Sequence, residues 1–409
     1  MKKVGIYNPH IHTMGGGEKV TLTLAEKLSE KYRVSLIVRD KLQKKKFEKF
    51  FNVNLEKVSV VVLTKPTFIV RVLTSPKLRL PGRVREIIAS RCDYTQLKKL
   101  NMDIFVNNYY QSSCKSVAPV GIYVCMFPQA LNIKTIGKRG PIAGAYHLAM
   151  DAFEKLLGLG RRSGIESYGT ILANSEYTRE WISKLWNRDA EILYPICDSM
   201  GPPAPKEKII LNVGRLFASS KDNHHKCQDV LIKEFKQMGH LHEKGWQLHL
   251  AGSTAKDPDS LKYVIRLVEE ARGYPIFFHL NISHPQLKSL YQKAAIYWHA
   301  TGYGKDPLKK PETQEHFGIT TVEAMSAGAV PVVINSAGQK ETVTNEETGY
   351  LWNSLDEMRE FTSILAKDGV KRADMGRRAV GASHKFGRAA FNDNIEKIIT
   401  RTENEDLQK

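Results

Sequence analysis

EHFGITTVEAMSAGAVPV, the stretch from Glu315 to Val332, decides how the rest of this sequence is interpreted. Gly318–Thr320 have the pattern of a first helical turn, and the apolar run that ends the stretch predicts a strand. Glu315 precedes this helix, and Glu323 lies about one turn inside it. Free N–H groups of a first helical turn bind phosphate oxygens or hydroxyls, and carboxylates are strong acceptors for vicinal hydroxyls. The stretch therefore predicts a site for a ligand with phosphate groups and sugar hydroxyls.

The same strand-to-helix alternation extends outward in both directions. The second half contains the short apolar runs KIILNVG, WQLHLAG, IFFHL, IYWHA and VPVVIN, and the first half contains KKVGIY, RVSLIV, DIFVNN, PVGIYV and GTILANS. Helical or irregular segments separate these runs, which is typical of parallel sheets in α/β proteins. The proline-rich stretch Tyr194–Lys208 divides the two series and is the best candidate for a linker.

These patterns predict an α/β protein of two Rossmann-like, doubly wound domains. At 409 residues the chain is long enough for two cores. We expect an N-terminal domain over residues 1–197, a C-terminal domain over 198–385, and a C-terminal helix over 386–409 that returns to the first domain. In such folds ligands bind at the carboxyl ends of the strands, so we expect the site in the cleft between the domains.

Composition and cysteine content favour a cytoplasmic protein. No apolar run approaches the roughly 18 to 20 residues needed to span a bilayer, and the first residues read as a strand rather than a signal peptide. The five cysteines form no C-x-x-C pair, which fits free thiols in a reducing compartment. We expect a cytoplasmic location. Peripheral attachment to the cytoplasmic face of a membrane remains an alternative.

The positive charge is concentrated in the first half of the chain. Of the net charge of +18, about +15 lies in residues 1–200 and about +3 in residues 201–409. In the segment Lys138–Arg162 an apolar helical face is flanked by cations, a pattern that suits an anionic membrane surface, although the face could equally pack on the core. The residues of that face are Leu148, Ala152, Phe153, Leu156 and Leu157. No nucleic-acid-binding pattern is found, so we expect no nucleic acid partner.

Glycines follow the first predicted strand in NPHIHTMGGGE. Gly16 and Gly17 lie just before a predicted helix, where backbone N–H groups can come close to a phosphate or a sugar. The pattern is not G-x-G-x-x-G, so it does not indicate a dinucleotide site. A tight turn that requires positive φ is the alternative explanation.

Cations follow the first strand of the second half, in NVGRLFASSKDNHHKCQDVLIKEF. Arg215 can bind two phosphate oxygens at once, and Lys226 or Lys221 can add a point charge just before a helix. Each of these could instead be a solvated loop cation. Their combination with Glu315 and Glu323 favours a diphosphate site, so the ligand that fits all these groups is a nucleotide sugar.

The two glutamates with seven residues between them, followed by AMSAGAVPVV and GQKETVTNEETGYLW, resemble the signature of the large retaining, family 4-like group of GT-B glycosyltransferases. The likeness extends to NPHIHTMGGGE, NVGR and QDVLIKEF, and is very weak between about Lys41 and Met102. GGGE and EHFGITTVEAM are similar to the mannosyltransferase-like branch that acts on lipid-linked glycans. The resemblance implies transfer of a hexose, with mannose favoured, from a GDP-sugar or UDP-sugar to a glycan or polyprenyl-lipid-linked acceptor.

The resemblance also implies a role for each site residue. Glu315 would bind donor-sugar hydroxyls, and Glu323 would bind the ribose. Arg215 and Lys226 would hold the diphosphate, with Lys221 as the rival lysine. The remaining groups would offer backbone N–H groups to the donor: Gly318, Ile319 and Thr320 from the helix start, and Gly16 and Gly17 from the first domain. It implies no metal and no cofactor besides the donor.

One departure from the family and two rival functions remain open. Many relatives carry a histidine where this chain has Cys125 and Met126, so the polar contact of that histidine to the donor sugar is in question. A sugar-nucleotide epimerase would share the architecture and the ligand. A non-catalytic protein that binds glycans or membranes would share the fold without turnover.

Overall fold

The chain folds into two compact units in the computed structural model. The first unit contains Met1–Pro195 and Phe391–Lys409, and the second contains Ile196–Ala390. The units divide two residues before the predicted domain end at residue 197, and the segment that returns to the first unit starts five residues after the predicted start at 386. The structure describes residues 1–13, 15–64, 75, 81–110, 112–129, 141–217, 225–255 and 257–407.

Among the described residues of the first unit, seven parallel strands form one sheet in the order β3-β2-β1-β4-β5-β6-β7. The strands are β1 Lys3–Tyr7, β2 Arg33–Val38, β3 Ser59–Val62, β4 Ile104–Asn107, β5 Val120–Cys125, β6 Thr170–Ala173 and β7 Glu191–Ile192. The helices are α1 Gly16–Leu28, α2 Lys44–Phe51, α3 Gly82–Leu97, α4 Pro141–Leu156, α5 Arg161–Glu166 and α6 Glu176–Trp186, with 3-10 turns at Ile11–Thr13 and Lys98–Leu100.

The first sheet is buried on both faces, as expected for parallel strands covered by helices. Every residue of β4 and β5 is buried. Tyr7, Phe105 and Tyr168 pack in one core cluster with helix residues such as Leu97 and Ile182. Among the described residues, none of the helices combines the length and the apolar character needed to cross a bilayer.

Among the described residues of the second unit, six parallel strands form one sheet in the order β10-β9-β8-β11-β12-β13. The strands are β8 Glu207–Val213, β9 Gln247–Gly252, β10 Ile276–Leu280, β11 Ala294–His299, β12 Val330–Ile334 and β13 Tyr350–Trp352. The helices are α7 Gln228–Lys236, α8 Gly239–His242, α9 Pro258–Ala271, α10 His284–Lys293, α11 Ile319–Ser326, α12 Gln339–Thr342, α13 Leu355–Lys367 and α14 Gly369–Ser383, with 3-10 turns at Pro311–Thr313 and His384–Phe386.

The central strands β8 and β11 place the candidate site. Asn212, near the end of β8, donates from Nδ2 to the carbonyl oxygen of Trp298 at 2.9 Å, which ties the two strand ends together. Trp298 is fully buried, and its indole N–H donates to Thr362 Oγ1 at 2.9 Å. The residues that follow β8 and the last residue of β11, His299, therefore lie at one rigid edge of the sheet.

The last helix, α15 Arg388–Leu407, belongs to the first unit from Phe391 onward. Phe391, Ile395, Ile398 and Ile399 of this helix are buried at helical spacing. Glu403 accepts from Lys2 Nζ at 2.9 Å and from Tyr32 OH at 2.7 Å, and the hydroxyls of Thr402 and Thr170 are 3.1 Å apart. The first unit thus combines the two ends of the sequence. The predicted α/β class with two Rossmann-like domains is confirmed.

Candidate functional site

Glu315 is the centre of a hydrogen-bonded cluster at the carboxyl end of β11. Its Oε2 accepts from Lys226 Nζ at 2.5 Å and from His299 Nε2 at 3.0 Å. Burial raises the pKa of Glu315, but the charge of Lys226 and the hydrogen bond from His299 oppose it and hold that pKa well below its usual range. The three residues, here named the Glu315 cluster, therefore contain an ionised carboxylate that is held by two donors.

His299 was missed by the sequence reasoning. Its side chain is 2% exposed, and Thr301 Oγ1 lies 3.1 Å from the same Nε2 that donates to Glu315. Burial lowers the pKa of His299, although the hydrogen bond to Glu315 raises it. A polar residue that ends an otherwise apolar strand was the available signal, because the carboxyl ends of parallel strands are where ligands bind.

The helix after Glu315 starts at Ile319, one residue later than predicted. Gly318 precedes α11 with φ of 102° and ψ of 53°, a region that favours glycine. Among the described residues, no acceptor is found for the N–H groups of Gly318, Ile319 and Thr320. The carbonyl oxygen of Glu315 accepts from Gly338 N at 3.0 Å, which fixes the loop before the helix. The geometry thus provides unpaired donors next to an ionised carboxylate.

Two buried tyrosines fix the rest of this helix. Tyr297 donates to Thr320 Oγ1 at 2.7 Å, and Tyr291 donates to Glu323 Oε2 at 3.0 Å. Both tyrosines are fully buried, and burial is the largest cause of their raised pKa. Their phenols therefore stay protonated and act as donors. They set the orientation of Glu323 relative to the helix start, a role that the sequence alone did not indicate.

The three cationic residues predicted to bind the diphosphate differ in their positions in the structure. The side chain of Lys226 packs over Gly214, where a Cβ would lie 3.0 Å from Lys226 Cγ, and this directs its amine to Glu315. The guanidinium of Arg215 lies 4.9 Å from the centre of the Phe217 ring, and among the described residues it forms no ion pair. Lys221 lies outside the described residues. The structure thus joins Lys226 to Glu315 and leaves Arg215 beside them.

Gly16 and Gly17 open α1 in the first unit. The explanation by positive φ was wrong, since neither residue has a positive φ. A Cβ at Gly17 would meet the methyl group of Met126, so a larger residue there would require the flexible Met126 side chain to move. Glu18 accepts from Gly15 N at 2.7 Å, so a carboxylate already compensates the helix dipole at this end.

Cys125 occupies the last position of β5 and is buried. Burial raises the pKa of its thiol well above the usual value, so the thiolate that a nucleophilic cysteine needs is disfavoured. Met126 packs against Gly17. Neither side chain can take over the polar contact of the missing histidine.

Two loops of the second unit contain polar residues that could suggest a metal or a further binding group. Asp257 caps α9 by accepting from Ser260 N at 3.0 Å. His225 Nε2 lies 2.9 Å from Tyr263 OH in a half-buried position. The neighbouring His224 lies outside the described residues. Within the described part of the chain, no group of three or more His, Cys, Asp or Glu side chains is placed to hold a metal ion.

Residues 201–379 match the sequence family described as Glycosyl transferases group 1. A GDP-Man:Man(3)GlcNAc(2)-PP-Dol alpha-1,2-mannosyltransferase of Dictyostelium discoideum is 26% identical over 255 residues, which are 58% of this chain and 48% of that protein. Alpha-1,3/1,6-mannosyltransferase alg-2 of Neurospora crassa is 24% identical over 336 residues, which are 69% of this chain and 65% of that protein. The chain spans about half the length of the curated alpha-1,2-mannosyltransferases that it matches.

A solved structure extends the likeness to both units. HepE of Anabaena in complex with UDP-glucose is 15% identical, with a TM-score of 0.64, and the likeness covers 98% of this chain and 100% of HepE. At that identity the likeness concerns the fold. The family match covers the residues that carry the Glu315 cluster and α11. The chain therefore has the fold of the GT-B glycosyltransferases, and its residues 201–379 are similar to the glycosyl transferases group 1 family.

Proposed function

We propose that the chain is a retaining, metal-independent glycosyltransferase that moves a hexose from a nucleoside diphosphate sugar to a glycan or lipid-linked acceptor. The observation that carries this proposal is the Glu315 cluster, in which an ionised carboxylate and the Lys226 ammonium lie beside the unpaired N–H groups of α11. These are the groups that a sugar and a diphosphate need. The family match over the same residues supports the same reaction class.

The residues of the site bind different parts of the donor in the proposed reaction. The N–H groups of Gly318, Ile319 and Thr320 and the ammonium of Lys226 bind diphosphate oxygens, and Glu323 binds the ribose hydroxyls. Glu315 binds hydroxyls of the donor sugar. Donors that are already in place stabilise the negative charge that develops on the leaving phosphate, without reorganisation during the reaction.

Retention of configuration follows from attack on the same face that the phosphate leaves. The bond between the sugar C1 and the phosphate oxygen breaks, and a bond from the acceptor oxygen to C1 forms. The acceptor proton passes to the departing phosphate. This route needs neither a protein nucleophile nor a metal, because the cationic and N–H donors balance the leaving-group charge. No cofactor besides the donor takes part.

Mannose is the favoured sugar, and a GDP-sugar or UDP-sugar is the donor. Support comes from the names of the relatives reported above, which describe enzymes that use GDP-Man and act on PP-Dol-linked glycans. The acceptor proposed here is accordingly a glycan or a polyprenyl-lipid-linked glycan.

Nucleotide release from a panel of UDP-, GDP- and ADP-sugars, with and without a membrane lipid extract, tests the proposal. We expect lipid-stimulated release from one donor in the wild type, unchanged by EDTA, and a loss of at least about 100-fold in Glu315→Gln, as for removal of one group that stabilises a transition state. Glu243→Gln is the matched control, because Glu243 is exposed and lies away from α11.

The rival functions give different outcomes in the same assay. An epimerase would convert the donor sugar without an acceptor and without nucleotide release. A non-catalytic binding protein would bind nucleotides and release none. The epimerase is not favoured, because the sequence offers no pair of acid and base groups suited to deprotonating a sugar ring. The non-catalytic protein is not favoured, because the relatives reported above are named as mannosyltransferases.

A lipid-linked acceptor requires that the protein reach a lipid surface, and the exposed face of α4 is suited to bind such a surface. Leu156 is 82% exposed and Leu148 is 57% exposed, with Ala152 exposed between them. Phe153 and Leu157, predicted to share this face, instead pack partly buried against the core. The exposed part is an apolar stripe at helical spacing in a strongly basic region of the sequence, which suits binding of an anionic membrane as a peripheral protein. A second segment that combines basic and apolar residues, Lys65–Arg91, is described only at residue 75 and from residue 81 onward.

Sedimentation with anionic liposomes at low and high salt tests membrane binding. We expect Leu156→Asp to weaken binding at least about tenfold, since burying a leucine contributes roughly 1.5 kcal/mol or more. Val370→Asp is a matched control, because Val370 is 83% exposed and lies in the second unit. Equal binding by the Leu156 variant and the wild type would contradict the role of α4, and no binding by the wild type would favour a soluble acceptor.

A further inference from the structure

We propose that His299 is a positioning residue for the reaction: it holds Oε2 of Glu315 and thereby leaves Oε1 as the oxygen that receives the donor sugar. This inference rests on the proposed function, because it assigns the residue that orients the sugar-binding carboxylate.

The hydrogen bonds of the cluster are unevenly divided between the two oxygens. Lys226 Nζ and His299 Nε2 both donate to Oε2, at 2.5 and 3.0 Å. Among the described residues, no donor is found for Oε1. An ionised carboxylate has two oxygens that accept hydrogen bonds, so Oε1 keeps its full capacity for hydroxyl groups.

The tautomer of His299 follows from its partner. Because a carboxylate can only accept, the hydrogen must be on Nε2, and Thr301 Oγ1 at 3.1 Å from Nε2 shares it. Nδ1 is then an acceptor, and it is buried without a partner among the described residues. The charged groups that face the imidazole are Glu315 and Lys226, and burial keeps the imidazole neutral. A neutral donor holds the carboxylate without neutralising its charge.

His299 and Lys226 differ in how firmly they hold Oε2. Lysine has a flexible four-carbon side chain, and in the proposed reaction its ammonium also serves the diphosphate. His299 ends a central strand, all six residues of which are buried. When Lys226 turns toward the phosphate, His299 is the donor that remains on Oε2. The carboxylate therefore keeps its orientation when the donor binds.

Three variants separate positioning from general structural support. His299→Leu fills the space but removes the donor, whereas His299→Gln keeps an N–H donor at a similar reach. His249→Leu is the matched control, because His249 is also buried in the same sheet, on β9, and contacts Gln247 and His279 instead of the cluster. Each variant is assayed for kcat and KM with the donor found in the panel, and for Kd of GDP and UDP alone.

We expect His299→Leu to lower kcat at least about tenfold while the Kd of the nucleoside diphosphate changes less than about twofold, because only the sugar contact is misplaced. His299→Gln should recover most of kcat, and His249→Leu should keep it. An unchanged kcat in His299→Leu, or a parallel loss of nucleotide binding and kcat, would overturn the proposal.

If the wild type turned over no donor, the proposed function would be contradicted. A double-mutant cycle would then still test the contact between His299 and Glu315. The cycle combines His299→Leu with Glu315→Gln and measures unfolding by denaturant. Coupled effects on the unfolding equilibrium would support the positioning of Glu315 by His299, whereas additive effects would overturn it.

Discussion

Tyr291 illustrates at the residue scale how one buried hydroxyl can place a charged group. It donates to Glu323 Oε2 at 3.0 Å from a fully buried position. We predict that Tyr291→Phe, which keeps the volume, weakens nucleotide binding about 2- to 10-fold, since a hydrogen bond contributes about 0.5–1.5 kcal/mol. Calorimetric Kd values for GDP and UDP check this. Tyr32→Phe is the control, because it removes a similar bond to Glu403 in the first unit, and equal affinity in both variants would contradict the prediction.

Glu315 gives a pH dependence whose sign follows from its pKa. The folded-state pKa lies well below the usual range, so its stabilising contribution is complete above the unfolded value of about 4.3 and is lost as the pH falls through the folded value. We predict that Glu315→Gln lowers the free energy of unfolding of the second unit at pH 6 and that the difference from wild type shrinks as the pH falls below about 4.3. Hydrogen exchange of β11 amides at several pH values measures it. A constant difference across this range would contradict the ion pair.

At the scale of elements, the start of α11 depends on Gly318. A Cβ at this position would lie 2.7 Å from Gln339 Nε2, and the φ of 102° is strained for other residues. We predict that Gly318→Ala costs about 1–3 kcal/mol of stability. Gly381→Ala is the control, because Gly381 lies inside α14 with open space around it, and it should stabilise by about 0.5–1 kcal/mol. Denaturant unfolding of both variants checks the opposite signs.

The sequence predicted elements better than it predicted contacts. The strand at IYWHA, the helix after Gly318 and the two parallel sheets follow from local periodicity, which the chain carries residue by residue. The bond from His299 to Glu315 depends on which side chains meet at the edge of the folded sheet, and periodicity does not contain that information. Arg215 shows the same limit, since the sequence did not indicate that its guanidinium lies 4.9 Å from the centre of the Phe217 ring.

At the scale of the whole molecule, the first unit depends on residues from both ends of the sequence. Glu403 holds Lys2 and Tyr32, and its side chain is 12% exposed. We predict that Glu403→Ala lowers the stability of the first unit by about 1–3 kcal/mol, because it leaves two donors without their acceptor. Hydrogen exchange should rise in β1 and β2 and stay unchanged in β8 and β11. Glu360→Ala, at an exposed position of α13, is the control, and uniform changes in both units would contradict the assignment.

The first unit is built from two segments that are far apart in the sequence, and this affects its biosynthesis. The seven strands of its sheet leave the ribosome before the 195 residues of Ile196–Ala390, and those residues take about 10 to 40 s to translate at roughly 5–20 residues per second. Until then the part of the first unit that contacts α15 lacks this helix. That face consists of Phe391, Ile395, Ile398 and Ile399. The nascent first unit thus lacks the apolar face of α15 for the whole interval in which Ile196–Ala390 are translated.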